Sequence, residues 1–152
     1  MLYLLALVIG IVAGLRAMAA PAAIAWAARL GRLDLHASWL AFLGYRWTPW
    51  IFSLAALGEL VNDKLPATPS RKVPPQFGAR VVSGALCGGA VGVAAGSCLI
   101  GAVLGAIGAV LGTLGGARAR VALAAPFGKD MPAALIEDAV AIIVAALVFC
   151  AL

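Results

Sequence analysis

From Val81 to Gly116 the chain runs for 36 residues without a charge. One helix of that length would measure about 54 Å at 1.5 Å per residue, against a bilayer hydrocarbon core of about 30 Å. Two helices joined by a tight turn fit the run better, and Gly96-Ser97 is the natural break. The glycines inside it recur in steps of four. Gly84, Gly88, Gly92 and Gly96 make one series, Gly101 and Gly105 a second, and Gly108, Gly112 and Gly116 a third. Small residues at that spacing form a flat stripe, a glycine zipper, on which helix backbones can approach closely. A pore lining or a sliding interface would use the same stripe, and spacing alone does not separate these readings.

Composition extends the argument to the whole chain. Mean hydropathy is +1.09, with 64% hydrophobic and 11% charged residues, where soluble domains carry about 25% charged residues. The expectation is an all-α membrane protein, one transmembrane domain over residues 1–152, with membrane lipids closing its core. The net charge of +5 fits anionic headgroups. It does not indicate nucleic acid, because no basic patch is interleaved with aromatic residues. Cys87, Cys98 and Cys150 are odd in number and lie in apolar runs, so no disulfide framework follows. One histidine and no paired Cys/His spacing argue for no metal site and no cofactor.

The polar segment Gly58–Arg80 holds Glu59, Asp63, Lys64, Arg71, Lys72 and Arg80, together with prolines 66, 69, 74 and 75. Such a segment marks where a membrane chain leaves the bilayer. Glu59 and Asp63 are four apart, so they share one face at the end of a helix. Met1–Ala28 is apolar except for the lone intramembrane charge Arg16. It reads as one span bent near Pro21, or as two shorter segments. Arg29–Trp47 is mixed and lies beside all four tryptophans, which places it at a membrane–water interface as a loop with a helical turn. Further spans run from Trp50 to about Asp63, on either side of Gly96, and from Met131 to Leu152.

That count is about five spans in a Gly/Ala-rich bundle. Lys64–Arg80 and Arg118–Lys129 then lie on one side, with seven basic residues between them. The positive-inside bias puts both loops, and with them the N-terminus, in the cytoplasm. Glu59, Asp63, Lys64, Arg80, Arg118, Arg120, Glu137 and Asp138 would meet at the cytoplasmic mouth as a binding or ion-pair cluster, pointing inward because charge is costly in lipid.

Three strings carry a resemblance. GLRAMAAPAAIAWAARLG, LGELVNDKLPATPSRKVPPQFGARVVSGA, and GGARARVALA with AALIEDAVAI resemble a family of small bacterial integral membrane proteins defined only as a domain of unknown function. The resemblance covers nearly the whole chain and is most specific at Glu59, Asp63-Lys64-x-Pro66 and Pro69-Ser70-Arg71. It implies a multi-pass protein of the bacterial inner membrane and carries over no catalytic residue.

No nucleophile elbow, phosphate-cradling loop or metal-ligand motif is present, so enzymatic chemistry is the weaker expectation. The charged vestibule suits a small transporter or channel-like protein whose ligand is a small anion, a cation or a lipid headgroup. The alternative is a non-catalytic membrane assembly or lipid-interacting protein whose charges are structural ion pairs. A homo-oligomer, at least a dimer, is expected of so small a bundle.

Overall fold

The computed structural model describes residues 1–62, 73–127 and 130–152, and among these every regular element is helical. The α-helices are α1 (Leu2–Leu15), α2 (Ala19–Arg29), α3 (Thr48–Asn62), α4 (Pro74–Ala94), α5 (Cys98–Phe127) and α6 (Asp130–Ala151), with a 3-10 turn at Trp39–Gly44. Three helices are long and apolar enough to cross a membrane: Pro74–Ala94, Cys98–Ala125 and Met131–Ala151.

Local chemistry explains the ends. Two prolines open α4, where a missing N–H costs nothing. The α4–α5 turn falls at the expected Gly96-Ser97. Gly96 has φ +92°, Ser97 N–H returns to Gly92 O at 2.8 Å, and Gly96 N–H returns to Val93 O at 3.2 Å. This is a helix terminator that needs a left-handed residue. α5, by contrast, runs on to Phe127, into the region expected to be the loop Arg118–Lys129. Ala117–Ala125 is rich in Ala, Arg and Leu, strong helix formers, and charge alone does not end a helix.

α1, α4 and α5 pack through their glycines. α1 runs parallel to α5, with Gly10 on Gly105 and Gly14 on Ala109 and Gly112; α4 runs antiparallel to α5, with Gly84 and Gly88 on Gly105 and Gly92 on Gly101. A Cβ at Gly88 would lie 2.7 Å from Gly105 Cα, and one at Gly112 3.0 Å from Ile11 Cα. Close glycine contacts therefore join three helices, where the sequence suggested two.

The N-terminal segment contains the main departure from expectation. It breaks at Arg16–Met18, with Arg16 extended (φ −139°, ψ 108°), and not at Pro21. Pro21 sits in the first turn of α2, where its missing N–H has no intrahelical partner to lose. The chain then turns back. α6 is antiparallel to α5, as Arg120 beside Glu137 shows. α2 runs alongside α6, from Arg16 at Asp138 to Arg32 at Phe149 O and Cys150 O. α1 and α2 are therefore the two arms of a helical hairpin with its tip at Arg16–Met18. Thr113, whose hydroxyl reaches Gly14 O, is at the middle of α5, so the tip lies deep along the longest helix.

Tyr3 donates to Ala95 O at 3.1 Å, which puts Met1 beside the α4–α5 turn. That end also holds the C-terminus. The arms contain 14 and 11 residues, about 21 and 17 Å, each shorter than a bilayer core.

α3 lies on α2 and the 3-10 turn. Trp26 stacks edge-on to Trp50 at 5.1 Å and donates from Nε1 to Ser53 Oγ at 3.1 Å. The outer faces of α3, α5 and α6 expose Leu54, Leu57, Leu99, Val103, Leu135 and Leu147. Apolar surface that continuous requires an apolar surrounding.

Candidate functional site

The break between α1 and α2 leaves carbonyls at the end of one helix and N–H groups at the start of the next. Side chains from three other helices meet them. From α3, the Glu59 carboxylate accepts from Ala17 N–H and Met18 N–H, both at 2.9 Å, capping α2 from outside. A negative charge there also complements the positive end of the helix dipole. From α4, Arg80 Nη1 donates to Gly14 O at 2.8 Å and Leu15 O at 2.6 Å, and Ser83 donates to Ala17 O. From α5, Thr113 donates to Gly14 O at 3.1 Å and to Ala109 O at 2.8 Å.

The two charges at the poles of the break are themselves paired. Arg80 Nη2 stands 3.4 Å from Glu59 Oε1, and Arg80 is only 3% exposed. On the far side of the tip, Arg16, 1% exposed, forms a buried ion pair with Asp138 of α6. Next to it, Arg120 Nη1 lies 3.7 Å from Glu137 Oε2. Among the described residues, three arginines and three carboxylates thus converge on one level. In a low-dielectric interior such pairing is what makes ionised groups tolerable.

Most of the residues singled out in the sequence come together here: Glu59, Arg80, Arg120, Glu137 and Asp138. Arg118 is exposed on α5. Asp63 and Lys64 lie outside the described residues. Sequence reasoning treated Arg16 as an isolated charge and missed its place at the centre. Ser83 and Thr113 were missed too, since a hydroxyl in an apolar helix carries no signal of its partner.

Two cavities of about 320 Å³ each flank the tip, and Glu59 lines both. One runs between α3 and α4 and includes Gln76 and Arg80. The other lies between α2, α3 and α6 and includes Arg16, Ala22, Leu57 and Ile142. This volume is at the lower end of the range for small-molecule sites.

These features define a helical bundle with three helices fit to cross a membrane, built around an internal hairpin whose tip is held by buried charge. No family model, curated protein or solved structure compared with the chain matches it.

Proposed function

We propose that the chain is a small membrane transporter or channel-like protein of the bacterial inner membrane, with its ligand site at the α1–α2 tip. The observation that carries the reading is the interrupted helix at mid-depth, bordered by cavities and by Glu59, Arg80 and Arg16. Irregular backbone at membrane depth is tolerated where it is buried in protein or lines a cavity, and transporters place substrates at such breaks. The hairpin is then re-entrant, with α4, α5 and α6 crossing the bilayer and α3, about 22 Å long, spanning part of it. The basic loops face the cytoplasm and both termini face away from it, which leaves Trp39, Tyr45 and Trp47 at the outer interface.

Flux through proteoliposomes tests the function. Concentration jumps of inorganic phosphate, acetate and sodium are read as currents on a supported membrane. A saturable current for one of them is expected, falling at least tenfold in Glu59→Gln while the variant stays folded. Silence for all three ions in folded protein would count against a small-ion path.

A second reading has its own support, because the chain already supplies partners to both poles of the break. Here the charges only hold the bundle, which acts as a non-catalytic, lipid-interacting assembly, at least a dimer. Under that reading Glu59→Gln unfolds the protein, and neutralising Arg80 as well restores it.

Topology has a separate test. In a background without native cysteines, Asp34→Cys and Leu152→Cys are expected to react with an impermeant thiol reagent in intact cells. Ser70→Cys and Lys129→Cys are expected to be shielded. Labelling of Lys129→Cys together with Asp34→Cys would overturn the arrangement.

A further inference from the structure

α3 is attached unevenly. Its first half is fixed by Trp26 on Trp50 and Ser53 and by the Thr48 hydroxyl on Phe42 O at 2.7 Å. Pro49, in that half, is its one buried residue. The second half rests over the two cavities, with Ala55, Gly58 and Asn62 facing one and Ala56, Leu57 and Leu60 facing the other. From this half Glu59 reaches across to the hairpin tip and to Arg80. Gly58, with nothing within 4 Å of where a Cβ would stand, is a weak point in the helix next to that contact. The outer face, with Ile51, Leu54, Leu57 and Val61, is exposed, so movement of α3 outward opens both cavities sideways.

We propose that α3 is a lateral gate with Glu59 as its latch, admitting from the bilayer a single-chain amphiphile whose anionic head takes the place of the Glu59 carboxylate. This rests on the transport reading and names its substrate class. Three observations point the same way. The cavity between α2, α3 and α6 is walled by Ala19, Ala22, Leu57, Leu60, Ile142 and Ala145, an apolar lining suited to a chain. Arg16 at its polar end stays paired with Asp138 and Arg80 lies on the other side of Glu59, so departure of Glu59 makes the tip more positive by one charge, which an anionic head offsets. Departure of Glu59 also removes the acceptor from Ala17 N–H and Met18 N–H. Part-buried donors left without an acceptor are unfavourable, so opening is favoured when another anion arrives with it. A carboxylate and a phosphate head share this chemistry.

The test is a distance measurement between nitroxides on Val61→Cys and Leu147→Cys, both exposed sites, with Cys87, Cys98 and Cys150 replaced by alanine. The protein is held in phosphatidylcholine nanodiscs. One short distance is expected without additive. Added oleate or lysophosphatidate should create a longer population, and whichever acts identifies the head as carboxylate or phosphate. Oleyl alcohol should not. Glu59→Gln should show the longer population without additive, and Glu59→Asp, should the glutamine variant fail to fold, should show a smaller share of it. An unchanged distance with both anionic amphiphiles, or an equal response to the alcohol, overturns the proposal. So does a Glu59 variant that folds and stays closed. Because the readout is distance, the gate can fail while currents persist, and currents can be absent while the gate opens.

Discussion

Gly105→Leu is expected to yield no folded protein. Gly105 is where three helices meet: Cβ atoms built at Gly10, Gly84 and Gly88 all point at its backbone. A leucine there must push α4 away from α5, and no neighbouring side chain can rotate aside, because the atoms its Cβ would meet, Gly84 O and C and Gly88 Cα, are backbone. Even Gly105→Ala should cost about 1–3 kcal/mol or more, the usual range for overpacking. Gly88→Leu, at the α4–α5 contact, and Gly108→Leu, which meets Leu7 O and Ile11 N of α1, should follow the same course. Gly115 has open space around it, so Gly115→Ala should be neutral, or gain up to about 1 kcal/mol from helix propensity. Unfolding followed in detergent checks the series. Folded Gly105→Leu with the stability of the parent would show that α4 is not locked onto α5 through these glycines.

The second large effect lies at the buried pair. Asp138→Asn leaves Arg16, 1% exposed, facing an amide in place of a carboxylate. Breaking one side of a buried ion pair costs about 3–5 kcal/mol. Removing both charges with Arg16→Met and Asp138→Leu should recover most of that loss, since well-packed apolar replacements of a buried pair are often neutral. The same measurement on Arg118→Gln, an exposed position, should stay within about 0.5 kcal/mol of the parent. A double variant as unstable as the single would mean that Arg16 holds the tip by something other than its charge.

The contrast between Arg16 and Arg118 shows what the sequence could disclose. Both are arginines beside glycine and alanine, in GLRA and GARA; one is at the centre of the bundle and the other on its surface. Helix content, the Gly96-Ser97 turn and the glycine stripe were legible because each depends on residues a few positions apart. The reversal at Arg16–Met18 was not. No glycine or proline marks it, and the residues that stabilise it, Glu59, Arg80, Ser83 and Thr113, lie more than 40 positions away. The nearest conspicuous residue, Pro21, pointed to the wrong place because proline is well accommodated in a first helical turn. Nor could counting charges by loop detect the hairpin, since a chain that turns back places two helices where the order alone suggests one span.

That hairpin also sets a schedule. Arg16 and Asp138 are separated by 122 positions, so the arginine enters the translocation machinery long before its carboxylate exists. At roughly 5–20 residues per second the interval is about 6–24 s, ample time for α3, α4 and α5 to emerge. The tip can therefore gain its contacts to Glu59, Arg80 and Thr113 as those helices emerge, and the buried ion pair closes last, when α6 arrives. A ribosome stalled before residue 138 should hold a nascent chain whose first 30 residues are cut by protease more readily than those of the released full chain.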